Sequence, residues 1–447
     1  MRNTRDCEFL GEFFRGLGDP GMALDPERDD RYVHIYDGPK PVDNDPVEEL
    51  ARTISWSAGE SVQLLSGFRG TGKSTELRRL KNRLESDGKI VLLLDMEEHM
   101  NMTTPIDITD FLIVLAGSAG DALAARDKLK ENPIKESYWT RFVAFLKRTN
   151  VTLGSLGTGG EADADVKIEL HTSPTFRQRV QQRLAGQEGA LYQDVAKFFQ
   201  DCVEALRTAH ARPALEVVII VDSIDHIRGS HDNADKVHAS VESLFSSHAQ
   251  RLKIPNLHLV YTVPHYLKVR YPNIGMAYNQ GSTPMFPAIK VHETRSSTVH
   301  ENNLRALRRI VLARGDALKL LGTEERLRKV LLMSGGHLRD MLRLLRGIAL
   351  SAKSVPIDDA TLETAINKLR WELVPISDEN ALWLAEIAES HEVRLLDNSR
   401  LAQLATFFDT NVVLCYADSP EWYDVHPLIR EIVIEQAARI KREAKSK

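Results

Sequence analysis

Cysteine is scarce: Cys7, Cys202 and Cys415 are the three in 447 residues, and they form no C-x-x-C pair. That argues against a disulfide framework or a cysteine zinc site and for a reducing compartment, the cytoplasm. The first residues, MRNTRDCEFLGEFFRGL, lack the unbroken apolar stretch of a signal peptide, and no segment has the length to span a bilayer, so no membrane partner is expected. No charge sign dominates. Lys and Arg number 58 against 63 Asp and Glu, a net charge of −5, which implies no global attraction to nucleic acid but leaves room for a local basic face. There is no nuclease or protease motif and no long repeat array. With 43% hydrophobic and 27% charged residues, the chain reads as globular and long enough for two or three domains.

One stretch organises the rest: SVQLLSGFRGTGKSTELRRLKNRL, residues 61–84. Val62, Leu64 and Leu65 read as a buried strand, and Leu77, Leu80 and Leu84 recur at helical spacing. Between them Gly67, Gly70, Gly72, Lys73 and Ser74 fit G-x-x-x-x-G-K-[ST], a phosphate-binding loop. Its glycines allow positive φ and leave no Cβ, so successive N–H groups can converge on phosphate oxygens. Gly67, Phe68, Arg69, Gly70, Thr71, Gly72, Lys73, Ser74 and Thr75 are therefore the candidate nucleotide-binding residues. Lys73 is expected to reach the β- and γ-phosphates of ATP, the Ser74 hydroxyl to ligate Mg²⁺, and Thr75 to open a helix whose positive end faces the anion.

Before the loop, a polar passage holds Tyr32, His34 and Tyr36, whose alternation puts them on one face as candidates for base contact, and a helix is expected around Val47 to Ile54. After it, Lys89 to Asp95 reads as an interior parallel strand ending in acid, with Glu97 and Glu98 just beyond. Residues 99–212 form an insert with helices expected at about 108–125, 138–148 and 175–209, and a hairpin at about 150–174 suited to contact with a partner or another subunit. Glu216 to Arg228, EVVIIVDSIDHIR, is a buried strand ending in Asp222, which delivers a carboxylate to a magnesium edge. Leu257 to Val263 is another core strand with Thr262 near its end, a group able to hold water or the γ-phosphate, and Ala288 to Val291 is expected as a short last strand. From Val299 the pattern turns helical, and Ser334 to Asp340 breaks one helix and starts another with Arg339 in its first turn. Beyond Ser377 the expected order is helix, helix, strand, turn, strand, helix, a small winged helix with the basic tail ARIKREAKSK.

GFRGTGKS, VVIIVDSID, VYTVP and SGGHLRD stand in the order of Walker A, Walker B, sensor 1 and sensor 2, so residues 30–350 resemble AAA+ ATPases, and the trailing winged helix resembles their origin-recognition and STAND branches. The resemblance implies an α/β fold: a P-loop NTPase parallel sheet with a helical lid and a C-terminal winged-helix domain. The implied division is an N-terminal segment 1–60, an ATPase core 61–297, a lid 298–376 and a winged helix 377–447. Carried over by position, Lys73 and Ser74 bind phosphate and Mg²⁺, Asp222 holds Mg²⁺, Thr262 is sensor 1 and Arg339 sensor 2. Ser223 stands where many AAA+ proteins have a glutamate base. That is similar to the NACHT form, in which a later acid, here Asp225, is available, and it favours slow turnover. The implied function is an ATP-gated switch acting as a homo-oligomer or on a separate effector, in bacterial defence or conflict. Alternatives are a DNA-binding initiator using the winged helix, and a scaffold that binds ATP without turnover.

Overall fold

The computed structural model describes residues 4–36, 42, 45–126, 137–148, 169, 172–229, 233–281, 283–395, 400–418 and 420–445. The hairpin expected over 150–174 falls almost wholly outside them. The chain divides into two compact units: Val47–Ser66 with Leu80–Pro284, and Met1–Pro46 with Gly67–Arg79 and Met285–Lys447.

The first unit is built on parallel strands, β1 (Ser61–Gly67), β2 (Ile90–Asp95), β3 (Val217–Asp222) and β4 (His258–Val263), in the order β2-β3-β4-β1. Their continuous apolar runs have no polar face because both faces are covered, as parallel sheets require. Register pairs Asp95 with Asp222 and Leu65 with Thr262, which brings the acidic strand ends to one edge. β1 is also held by the side chain of Gln280, which accepts the Leu64 amide at 2.9 Å and donates to the Leu64 carbonyl at 3.1 Å.

Beyond a non-helical stretch at 99–107, the described part of the insert is mainly helical. Ile108–Ala124 is buried along most of its length, capped by the Asp107 carboxylate on the Thr109 amide. Two glycines in this helix have a packing reason: a Cβ on Gly117 would fall 2.1 Å from the Trp139 ring, and one on Gly120 would lie 3.1 Å from Phe198. The single helix expected over 175–209 is two, Pro174–Leu184 and Glu188–Ala209, because Gly186 takes φ +82° and turns the chain between them.

The second unit holds the N-terminal helix Thr4–Leu17, which the sequence reading did not anticipate, and the helices Glu301–Leu312, Ala317–Leu321, Glu324–Met333, Leu338–Ser351 and Asp359–Trp371. Thr4–Leu17 packs on Leu338–Ser351, with the Arg346 guanidinium 3.9 Å from the Phe14 ring centre. The strand expected at 288–291 is instead β5 (Met285–Phe286). The reason is where the next amides go: Ala288 N–H donates to Cys415 O and Ile289 N–H to Gly336 O. At the C-terminal end come Asp378–Ser390, Leu401–Asp409, β6 (Val413–Tyr416), β7 (Trp422–Val425) and Pro427–Lys445, in the order expected. β6 and β7 are antiparallel, and Trp422 stacks on Tyr416 with ring centres 4.5 Å apart. Among the described residues no helix is long and apolar enough to cross a membrane.

Candidate phosphate-binding site

β1 runs straight into the glycine loop, and the helix Lys73–Ser86 starts at the lysine. Gly70 and Gly72 take φ +88° and +93°, the left-handed region that side chains avoid. The Thr71 hydroxyl donates to the Phe68 carbonyl at 3.0 Å and closes the loop on itself. Phe68 is buried against Phe408, ring centres 5.0 Å apart and edge-on. Lys73 is 5% exposed, and its Cδ lies 3.4 Å from where a Gly67 Cβ would stand, so a side chain at 67 would crowd the lysine stem.

The N-terminal segment lies along the first turns of this helix. Thr75 Oγ1 accepts the Leu24 amide at 3.0 Å, and Arg78 donates to the Ala23 carbonyl at 2.9 Å. Tyr32, His34 and Tyr36 do share a face, as their alternation implies. Their neighbours are side chains of the helix: Tyr32 Oη donates to Glu76, and Arg79, paired with Asp45, lies 5.3 Å from the Tyr36 ring centre.

The turn Ser334–Asp340 belongs to the same unit and presses on the loop. Gly335 and Gly336 have φ +58° and +73°, and no other residue fits: a Cβ on Gly336 would fall 1.7 Å from the Ile289 carbonyl oxygen, and one on Gly335 2.5 Å from Leu414. A Cβ on Gly70 would in turn fall 2.6 Å from that of Arg339. His337 Nε2–H donates to the Arg69 carbonyl at 2.6 Å, and the Arg339 amide donates to the Gly70 carbonyl at 3.0 Å. In a trans peptide the C=O and N–H point to opposite sides. Holding those two carbonyls against the turn therefore aims the Gly70 and Thr71 amides the other way. The Nε–H groups of Arg69 and Arg339 are buried donors with no hydrogen-bond acceptor among the described residues. Burial first, and then the Arg69 charge, lower the proton affinity of Arg339. Two crowded cations with orphaned donors at a positive-φ loop suit an anion of high charge.

In the other unit, β3 ends at Asp222, and Ser223 turns the chain with φ +68° while its amide donates to Asp222 Oδ1 at 2.7 Å. Thr262 Oγ1 accepts the Ile224 amide at 3.1 Å and donates to the Val221 carbonyl at 3.4 Å. Its hydroxyl thus holds the turn after β3, a structural task its sequence position did not reveal. Asp225 is 4% exposed inside the short turn Ile224–His226, not at a helix cap. His226 stands 2.9 Å from Glu97 by Nδ1 and 3.8 Å from Asp225 by Nε2. The structure therefore gathers residues 67–75 with Arg339 in one unit, and Asp222, Asp225 and Thr262 in the other. Sequence reasoning missed His337, whose only signal was its place between a double glycine and an acid.

No family model matches the chain, and no curated protein matches it. Among solved structures it is similar to the Aeropyrum pernix ORC2 protein in its ADP form, with 13% identity and TM-score 0.39 over 94% of this chain and 99% of that one. It is similar also to CDC6P from Pyrobaculum aerophilum, with 11% identity and TM-score 0.38 over 94% and 99%. A third is the A. pernix ORC1 protein in complex with DNA, with 13% identity and TM-score 0.34 over 89% and 93%.

Proposed function

We propose that the chain is an ATP-binding, slowly hydrolysing switch of AAA+/STAND type that controls a partner, another copy of itself or a separate effector. The observation that carries the reading is the loop at 67–75, with positive φ at both glycines after the first and the orphaned guanidinium donors of Arg69 and Arg339 beside it. The loop amides and the Lys73 ammonium bind the triphosphate, and Arg339 reaches its terminal phosphate. The resemblance to AAA+ ATPases implies Ser74 and Asp222 as the residues that would hold Mg²⁺, and each offers an oxygen donor of the kind a hard cation takes. Bound there, the ion would supply positive charge to offset that of the phosphates. Asp225 orients or deprotonates water, and Thr262 keeps that acid's turn in place. The core at 61–297, lid at 298–376 and winged helix at 377–447 are part of the same proposal.

A DNA-binding role for the C-terminal region finds less support, because between Ser377 and Lys447 carboxylates outnumber cations and would repel a phosphate backbone. Calorimetric titration with ATP and Mg²⁺, phosphate release with and without DNA, and the salt dependence of any DNA binding test the proposal together. No heat on adding ATP would remove it, and turnover that requires DNA would replace it with the initiator reading.

A further inference from the structure

A chain of buried polar contacts runs from the phosphate loop to the C-terminal strands and helix within one unit. His337 Nε2 is 2.6 Å from the Arg69 carbonyl, and its Nδ1 is 2.7 Å from Asp340 Oδ2. The same oxygen lies 3.6 Å from Nε2 of His426, the residue just before the helix Pro427–Lys445. Both rings are fully buried and Asp340 nearly so. Burial alone would push the Asp340 carboxyl up, yet the His337 and His426 rings hold it far below its ordinary value. His426 Nδ1 accepts the Leu428 amide at 3.2 Å, so the neutral ring carries its hydrogen on Nε2, facing the carboxylate. Two apolar contacts run alongside: Phe68 against Phe408, and Leu414 against the Gly335 backbone, whose carbonyl also accepts the Tyr416 hydroxyl at 2.9 Å.

We propose that His337 is a positioning residue for the phosphate loop, and that through Asp340 and His426 it couples nucleotide binding to the seating of β6, β7 and the last helix. The inference rests on the reading of residues 67–75 as a triphosphate site. Its physics is that of one peptide plane: His337 holds the Arg69 carbonyl, which fixes the direction of the Gly70 amide. An anion on that amide polarises the peptide and strengthens the carbonyl as an acceptor, so the His337 and Asp340 contacts tighten when the loop is filled. Coupling of this kind is reciprocal, and loosening the far end must weaken nucleotide binding.

The test uses the full chain and a non-hydrolysable ATP analogue with Mg²⁺, measuring affinity by calorimetry and amide hydrogen exchange over 411–418 and 420–430 with and without the analogue. His337→Gln keeps a donor near the Nε2 position toward Arg69 and loses the one toward Asp340. It should lose the nucleotide-induced protection of 411–430 and, by the same reciprocity, bind about fivefold more weakly than the parent. His337→Ala loses both donors and should bind roughly tenfold more weakly, and His426→Gln, which touches no part of the loop, about fivefold more weakly. Far-ultraviolet circular dichroism checks folding, and if His337→Ala fails it, the two glutamine variants decide. A parent that binds the analogue with exchange over 411–430 unchanged, and His426→Gln binding as the parent does, would overturn the coupling. A parent that binds no analogue overturns the triphosphate reading itself, and the coupling with it.

Discussion

The loop at 67–73 is held from far along the chain, whereas the turn at 223–226 is held by its own sheet. Two successive carbonyls of the loop are taken by His337 and Arg339, and Phe68 rests on Phe408. The turn after β3 depends on Thr262 of the adjacent strand and on the Asp222 side chain one residue back. A glycine-rich loop has few side chains of its own to fix it, here the buried Phe68 and the Thr71 hydroxyl, so most of its shape must be imposed by neighbours. A turn that continues a buried strand inherits its position from the register. Distant substitutions should therefore disturb the loop, and only local ones the turn.

The largest effect is expected at the loop's charge. Lys73→Ala removes a buried ammonium that would make two charge-assisted contacts worth about 1.5–3 kcal/mol each, so ATP affinity should fall by about 100-fold or more with the thermal midpoint nearly unchanged. Equal affinity in mutant and parent by calorimetry would end the phosphate-loop assignment. Next comes the turn's acid. Asp225→Asn should lower phosphate release by roughly 100-fold or more while ATP affinity stays within about threefold, since the amide cannot accept a proton from water. Unchanged turnover would mean the base lies elsewhere, with Asp95, Glu97 and Glu98 next in line.

A third expectation tests the contrast directly. Gly70→Ala places a methyl against Arg339 Cβ and the His337 ring at φ +88°, whereas Gly59→Ala meets only an unfavourable φ of +80°, with nothing within 4 Å. The Gly59 change should cost about 1 kcal/mol, and the Gly70 change should cost more and also weaken ATP, because the loop must leave the turn at 335–340. Equal losses at both sites in thermal unfolding, with ATP affinity untouched, would show that the loop does not depend on that turn.

The same contrast explains what could be read from the amino acids. Apolar runs ending in acid at Asp95 and Asp222 announced strands and their edge, because a parallel strand writes its burial directly into consecutive residues. G-x-x-x-x-G-K-S announced the loop because positive φ and the absence of Cβ are needs only glycine meets. The Gly186 break and the diversion of residues 288–289 to Cys415 and Gly336 were not legible, since each depends on what the chain meets in space. The Arg69–His337–Asp340–His426 contacts join three separate stretches of sequence, and no local pattern encodes such a meeting.

The smallest effect is expected at Ser223, where the structure changes what a substitution should do. On sequence grounds Ser223→Glu restores the acid that many AAA+ proteins carry and should raise turnover. In the fold, Ser223 has φ +68° and is 2% exposed, and its side chain caps nothing. A glutamate there would keep the left-handed backbone that the serine already adopts and bury a charge in place of a hydroxyl, so the expected result is lower stability with no gain in phosphate release. Ser223→Gly relieves the same backbone strain, while its greater freedom in the unfolded chain offsets most of the gain, leaving a net change of about 0.5 kcal/mol or less. Thermal unfolding of both variants beside steady-state phosphate release separates the two accounts. If Ser223→Glu turns over faster at undiminished stability, the turn after β3 is pliant, and the claim that the sheet alone fixes it fails.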